Sequence, residues 1–380
     1  MEYMQNRIDT IINHYHNKDE SLAFRMLMDC VLDSKDKKVH KKALELNLFR
    51  EKEGANKSEI IDKSIALLTE LKDFPYQMEE ENPILVKAIN ISKNYSTFQL
   101  SNVDLEIRTG DVWGLVGENG NGKTTLLKIL ANEIHYDSGS LEFGIEKESE
   151  YDLRTKLAYI PQRTAKWFGS VKYNLQYTAA HYGIKGEENE LLVYMYLIRF
   201  GLWKFRNHNW NQLSSGYKMR FELVRTLLRK PRILLLDEPL ANLDVLAQQL
   251  ILEDLKNIAQ SKCNPIGIIL SSQQLFEVEK ISGKVLFLKN GNPTHLSTIN
   301  ETMNVKEVLT ILELDTTATK EELIRAMTNL HVEEIVFNGG LYIIKIKNSS
   351  FGDVLGALLA HFVSITYVRD ISKSSRRLFV

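Results

Sequence analysis

Apolar positions recur at helical spacing over residues 1–80, as at Leu22, Met26 and Cys30. Asn and Asp stand where helices would begin, and the first Gly and first Pro are Gly54 and Pro75. This stretch of sequence shows no alternating strand pattern. It predicts an all-α N-terminal domain, with three or four helices packed as hairpins.

Residues 82–295 carry a different pattern. The apolar runs at 112–116 and 233–236 have the length of strands that are buried on both faces of a sheet. Between about 164 and 212 the pattern becomes helical again, most clearly at 171–182 and 187–200. We therefore expect an α/β domain with a helical insert.

Residues 300–380 predict a third region, a small α/β domain. Gly339 and Gly340 mark the turn between its first two strands. Its predicted helices and strands follow one another at 316–329, 332–338, 341–347, 351–362 and 363–368.

The first chemical signal is the run GENGNGKTT at 117–125, which follows a strand pattern and opens a helical one. Glycines allow consecutive N–H groups to point at phosphate oxygens, and the helix adds its positive N-terminal end. Lys123 can reach the terminal phosphates, and the Thr124 hydroxyl can ligate Mg²⁺. A glycine-rich turn without a ligand is the alternative. We predict a nucleoside triphosphate site contacted by Gly117, Asn119, Gly120, Gly122, Lys123, Thr124 and Thr125.

Two adjacent acids, Asp237 and Glu238, end the strand pattern at 233–236. Open α/β sheets place their ligands at the carboxyl ends of strands. Asp237 there suits the second shell of Mg²⁺, and Glu238 can accept a proton from an attacking water. The alternative is that the two acids cap a following helix. The pair predicts hydrolysis of the bound triphosphate.

With IPQ at 160–162, LSSGY at 213–217 and NLD at 242–244, the chain resembles the ATP-binding-cassette ATPases. The motifs of that family are found here in the family's order, from about residue 82 to residue 291. The resemblance implies a P-loop NTPase cassette with a helical insert, and ATP and Mg²⁺ as its cofactors.

The resemblance also assigns roles to residues outside the phosphate loop. Tyr95 matches the aromatic that stacks on adenine, although a lone tyrosine could equally be a core or surface residue. Gln162 matches the glutamine that contacts Mg²⁺ and senses the attacking water, and Asp244 matches the acid of the dimer loop. Ser214 and Gly216 belong to the signature run, which in the family holds the γ-phosphate of the nucleotide carried by the other subunit.

Two motifs depart from the family pattern. The signature run is most often LSGGQ, and here Ser215 and Tyr217 replace a glycine and the glutamine. The family places a histidine after the strand matched by residues 266–271, and Gln273 stands in its place. Because glutamine can donate a hydrogen bond but cannot carry a proton, we expect catalysis to be slowed and binding to be retained.

Composition excludes several other classes of protein. A net charge of −1 gives no electrostatic case for nucleic acid. Cys30 and Cys263 are too few and too far apart for a disulfide framework or a zinc site. The first residues lack an apolar segment for export, and no apolar run approaches the roughly 20 residues of a membrane span. We expect a soluble protein that reaches a membrane only through a partner.

The resemblance implies the ATPase subunit of an ABC transporter, expected to be an exporter, on the cytoplasmic face of a membrane. Its expected partners are a second copy of the chain, which completes each ATP site, and a separate permease. The layout of residues 300–380 is similar to the C-terminal extension of exporter-type cassettes. The alternative is a soluble, slowly hydrolysing ATP switch that recruits a non-transport partner. Aromatic residues of the insert, such as Trp167, Phe168, Trp203 and Trp210, are either partner contacts or core.

Overall fold

The computed structural model describes residues 2–79, 82–147, 149–273, 278–295, 309–338 and 340–372. The first range forms four helices: α1 Glu2–His16, α2 Glu20–Ser34, α3 Lys37–Arg50 and α4 Lys57–Lys72. Three of them begin at a side-chain cap, because Asp19, Asp36 and Asn56 accept hydrogen bonds from N–H groups of the first turn. The predicted N-terminal helices are confirmed.

Two sheets follow. A three-stranded antiparallel sheet has the order β2-β1-β4, with β1 Ile84–Asn94, β2 Gln99–Arg108 and β4 Ser138–Phe143. A six-stranded sheet has the order β5-β6-β7-β3-β8-β9 and is parallel except for the pair β8 and β9. Its strands are β3 Val112–Val116, β5 Leu157–Ile160, β6 Ile233–Leu236, β7 Gly267–Ser272, β8 Lys284–Lys289 and β9 Asn292–His295.

Helices connect these strands. α5 Lys123–Leu130 and α6 Glu150–Lys156 precede the insert, which contains α7 Val171–His181 and α8 Gly186–Arg199 as predicted. Two 3₁₀ turns at Trp203–Phe205 and Trp210–Gln212 lead to α9 Ser215–Leu227, and α10 Val245–Ala259 follows β6. Within the described parts of the chain, no helix is both long and apolar enough to cross a membrane.

The six-stranded sheet separates two apolar cores, because successive side chains of a strand point to opposite faces. Leu115 and Leu235 enter the core shared with the antiparallel sheet, whereas Val116 and Leu236 enter the core on the other face. That second core continues through the insert into the N-terminal helices, where it includes Leu27. The N-terminal helices therefore pack on the cassette through one continuous core.

Charged side chains join the same surfaces. Arg199 of α8 donates from Nε to Asp29 Oδ1 of α2 at 2.5 Å and from Nη1 to Asp254 Oδ1 of α10 at 2.6 Å. Arg25, one turn before Asp29 on α2, donates to Glu253 Oε2 of α10 at 2.8 Å. Helix α2 is thus bonded to both the insert and the helix that follows the dimer loop.

The C-terminal region is a four-stranded antiparallel sheet with two helices, in the order β-α-β-β-α-β of the ferredoxin-like split βαβ arrangement. The sequence missed its first strand and placed a helix at 316–329; in the structure the strand runs to Thr316 and the helix is capped by Thr319. The other predicted elements are present to within two residues at each end. They are β10 Leu309–Thr316, α11 Lys320–Ala326, β11 His331–Asn338, β12 Leu341–Lys347, α12 Phe351–Ala360 and β13 Ile365–Asp370.

Candidate functional site

The phosphate loop links the end of β3 to the start of α5, as predicted. A Cβ atom at Gly117 would lie 2.4 Å from the carbonyl oxygen of Leu288, so only glycine fits there. Gly122 has φ 97°, and a Cβ there would lie 2.6 Å from Cζ of Phe98. The loop and the first turn of α5 together hold Gly117, Asn119, Gly120, Gly122, Lys123, Thr124 and Thr125.

Lys123 is buried inside this loop. Its Nζ donates to the carbonyl oxygens of Gly117 at 2.6 Å and Glu118 at 3.2 Å. The same ammonium lies 3.2 Å from Glu238 Oε1. The Lys123 ammonium group is therefore held between the phosphate loop and Glu238 of the acid pair.

Asp237 lies at the carboxyl end of β6 and is buried. Its Oδ2 accepts a hydrogen bond from Thr124 Oγ1 at 2.7 Å, and its Oδ1 accepts one from Ser271 Oγ at 2.8 Å. The structure thus joins the acid pair to the hydroxyl predicted to ligate Mg²⁺. The capping alternative accounts for none of these contacts.

Glu238 is held by its backbone and its carboxylate. Its φ is 48°, in the left-handed region, and its N–H donates to Ser271 Oγ at 2.9 Å. Gln273 Nε2 donates to Glu238 Oε1 at 3.1 Å and to Oε2 at 2.9 Å. Gln273, from the residues matched to the switch loop, therefore lies against the acid pair; residues 274–277 of that loop lie outside the described residues.

Tyr95 and Gln162 lie at the edges of the site. Tyr95 is 48% exposed in the turn between β1 and β2, and its N–H donates at 2.7 Å to the carbonyl of Phe98, the residue that packs on Gly122. Gln162 is exposed two residues after β5, whose Ile160 carbonyl accepts the N–H of Asp237 at 2.9 Å.

Ser214, Gly216 and Asp244 form a second group of predicted residues. Ser214 caps α9 by accepting from the N–H of Tyr217 at 3.4 Å, and Asp244 caps α10 by accepting from the N–H of Ala247 at 2.8 Å. Ser215 Oγ donates to the Asn242 carbonyl at 2.9 Å, which ties the signature run to the dimer loop. Ser214 and Asp244 are exposed.

Sequence reasoning missed Tyr159 and Ser271. Tyr159 of β5 donates from its hydroxyl to Asp237 Oδ2 at 3.3 Å, and burial together with the neighbouring Asp237 raises the pKa of this phenol. Each residue is a polar side chain at the carboxyl end of a parallel strand. This position at the end of a strand is the sequence feature that could have identified both residues as part of the site.

The aromatic residues of the insert divide into core and surface. Trp203 and Trp210 are buried, and Trp167 donates from Nε1 to Glu222 Oε1 at 2.7 Å. Phe168 is 92% exposed, and Tyr173 and Tyr177 of α7 are exposed as well. We call these three the aromatic surface.

Comparisons with known proteins agree with this geometry. A family model described as ABC transporter matches residues 100–241. The probable sulfate/thiosulfate import ATP-binding protein CysA of Chlorella vulgaris is 30% identical over 222 residues, which cover 56% of this chain and 90% of that protein. The linearmycin resistance ATP-binding protein LnrL of Bacillus subtilis is 24% identical over 306 residues, which cover 78% of this chain and 97% of that protein.

Among solved structures, cbiO1 from Clostridium perfringens, part of the ABC transporter complex cbiONQ, is 25% identical, with a TM-score of 0.50. The match covers 56% of this chain and 88% of that one. The fold and the phosphate loop define a P-loop nucleoside triphosphatase. More narrowly, the chain belongs to the ATP-binding subunits of ABC transporters, and it is an ATPase.

Proposed function

We propose that the chain hydrolyses ATP at its phosphate loop to power a separate membrane permease, and that the transporter is an exporter. The observation that carries the proposal is the cluster in which Lys123, Thr124, Asp237 and Glu238 meet within hydrogen-bonding distance. The match to LnrL supports export, because it extends beyond the cassette over nearly all of a protein named for resistance. CysA is named for import. The proposed direction of transport therefore follows LnrL, whose match covers more of this chain.

Thr124 and Asp237 suit Mg²⁺. The Thr124 hydroxyl is a hard oxygen ligand of the kind this ion prefers, and the Asp237 carboxylate, 2.7 Å from that hydroxyl, suits the second shell. The exposed amide of Gln162 can add a further oxygen. Held there, Mg²⁺ would supply positive charge next to the phosphates of the bound nucleotide.

Residues of the protein bind the nucleotide and accept the proton of the attacking water. The loop N–H groups and Lys123 bind the phosphates, and the exposed ring of Tyr95 stacks on adenine. A Glu238 carboxylate oxygen accepts the proton of the attacking water, while Gln273 Nε2, now on that carboxylate, holds it in position.

A second copy of the chain completes each ATP site. Ser214 and Gly216 lie at the N-terminal end of α9, where N–H groups and the helix dipole favour an anion. The exposure of Ser214 and of Asp244 suits contact with the nucleotide held by the other subunit. One chain carries one phosphate loop and one signature run, so two chains form two sites.

Replacing Glu238 with Gln should slow hydrolysis and trap a dimer with two ATP molecules, because the amide cannot accept the proton. Light scattering at tens of micromolar protein with Mg-ATP measures the mass. A monomer under these conditions would count against the two-chain site. The Lys123→Ala protein, which loses the phosphate cation, should stay monomeric and serves as the control.

The aromatic surface is the proposed contact with the permease. Phe168, Tyr173 and Tyr177 are large apolar groups in contact with solvent, and aromatic residues are enriched at the centres of protein interfaces.

Pull-down of tagged protein from detergent-solubilised membranes tests the partner. We expect a multi-span membrane protein to be retained by the wild type and largely lost with Phe168→Ala. Phe362→Ala, which removes another fully exposed phenylalanine, in the C-terminal region, should leave retention unchanged. Recovery of only a soluble partner would favour the ATP-switch alternative.

A further inference from the structure

Ser271 lies near the middle of the six-stranded sheet. Its strand β7 stands between β6, which ends at the acid pair, and β3, which leads into the phosphate loop. In the strand register Ser271 is opposite Leu115, and the preceding Leu270 is opposite Leu236. Ser271 is 0% exposed, so its hydroxyl must find its partners inside the protein.

Those partners are the two adjacent acids. The hydroxyl donates to Asp237 Oδ1 at 2.8 Å and accepts from the N–H of Glu238 at 2.9 Å. The other carboxylate oxygen of Asp237 accepts from Thr124 Oγ1. One hydroxyl therefore connects the carboxylate beside Thr124 to the backbone of Glu238.

Glu238 depends on this support because of its conformation. A left-handed φ of 48° is uncommon for a residue with a side chain and persists where the surroundings determine it. The hydrogen bond to Ser271 fixes the peptide plane from which the Glu238 side chain leaves. That plane decides whether the carboxylate points toward Lys123 Nζ, 3.2 Å away, and Gln273 Nε2, 2.9 Å away.

We propose that Ser271 is a positioning residue for ATP hydrolysis. Its hydroxyl holds the Glu238 backbone in the left-handed conformation and ties it to Asp237, so that the Glu238 carboxylate faces the attacking water. This inference rests on the proposed role of Glu238 as the proton acceptor. The Ser271 hydroxyl makes its hydrogen bonds with the acid pair. Removing it should therefore leave the conformation of the phosphate loop unchanged.

The first test is kinetic. In Ser271→Ala, kcat for ATP should fall about 10- to 100-fold, as expected when a reacting group is misplaced by about an ångström. Binding of a non-hydrolysable ATP analogue with Mg²⁺ should change less than about threefold. Ser271→Cys keeps a side chain of similar shape, slightly larger, but replaces the hydroxyl with a weakly hydrogen-bonding thiol, and it should be as slow as Ser271→Ala.

A matched control separates this effect from general destabilisation. Ser64 of α4 is also fully buried, and its hydroxyl donates to the Ile60 carbonyl at 2.7 Å, far along the chain from the acids. Ser64→Ala should keep the wild-type kcat. A wild-type rate in Ser271→Ala, or a restored rate in Ser271→Cys, would overturn the proposal.

The second test asks whether Ser271 acts through Glu238. If it does, adding Ser271→Ala to Glu238→Gln should slow hydrolysis by less than about twofold, because the affected group is already gone. A full multiplicative loss in the double variant would overturn the proposal. Glu238→Gln with a wild-type rate would refute the proton acceptor and the Ser271 inference together, whereas a slow Glu238→Gln beside a fast Ser271→Ala would refute the inference alone.

Discussion

At the scale of single residues, Gln273 is the clearest chemical departure from the cassette family. Its amide donates to both carboxylate oxygens of Glu238, one of which also lies 3.2 Å from Lys123 Nζ. A neutral amide can position the carboxylate, but it can neither take up a proton nor add a charge near the phosphate. Gln273 therefore provides a hydrogen-bond donor, as the family's histidine would, but it cannot titrate.

We predict that Gln273→His hydrolyses ATP about tenfold faster than the wild type, since a positioned donor contributes about 2–4 kcal/mol in a transition state and glutamine supplies part of that. The wild-type rate should vary little between about pH 6 and pH 8 through this position, whereas the histidine variant should show a new dependence near about 6.5. Phosphate release over this pH range measures both effects. Gln260→His, at an exposed helix end, controls for an added histidine. A slower histidine variant would mean that Gln273 is an adapted catalytic group.

At the scale of elements, α2, α8 and α10 are joined by buried charges. Arg199 is 1% exposed and Asp254 is nearly as buried, so neither can regain water if its partner is removed. Lys204 and Glu51 form another ion pair between the cassette and the N-terminal helices, 3.4 Å long, but this lysine is 75% exposed. The Arg199–Asp29 and Lys204–Glu51 pairs both join the cassette to the N-terminal helices, the first through a buried arginine and the second through an exposed lysine.

Arg199→Met should therefore lower the free energy of unfolding by about 3–5 kcal/mol, because Asp29 and Asp254 lose their shared cation. Lys204→Gln should change it by less than about 1 kcal/mol. Urea unfolding of the two variants and the wild type provides the comparison. If both substitutions lowered the free energy of unfolding by the same small amount, Arg25 alone would be enough to neutralise Asp254, from which it lies 3.2 Å away.

At the scale of the molecule, the two flanking regions differ in how they are held. The C-terminal sheet and helices enclose an apolar core made of their own residues, which include Leu314, Leu323 and Leu358. The N-terminal helices share their core with the insert and with one face of the six-stranded sheet. A region with its own core can fold alone, whereas a shared core fails when either half is removed.

Truncation after residue 295 should accordingly leave the thermal midpoint of the cassette and its ATP-analogue binding nearly unchanged. Removal of residues 1–79 should expose the apolar side of α8 and give an aggregating or poorly folded protein. Circular dichroism on heating and analogue binding measure both truncations. A soluble, ATP-binding protein without residues 1–79 would show instead that these helices are a separable docking module.

Features that depend on neighbouring residues along the chain could be predicted from the sequence. The loop GENGNGKTT, the acid pair, the strands at 112–116 and 233–236 and the capped N-terminal helices were all predicted, because turns, caps and short apolar runs have local causes. Strand β10 was missed, since the adjacent apolar residues Ile311 and Leu312 interrupt its alternation; Ile311 packs in one core and Leu312 and Leu314 in another.

Which distant residues come into contact could not be predicted in this way, because it depends on how the whole chain packs. Strand order is set by packing over the whole sheet, and it places Ser271 beside Asp237, 34 positions away in the chain. The same packing buries Trp203 and Trp210, leaves Phe168 exposed and joins the N-terminal helices to the cassette core. The partners of a side chain depend on which surfaces pack together, and a local pattern of apolar residues does not specify that packing.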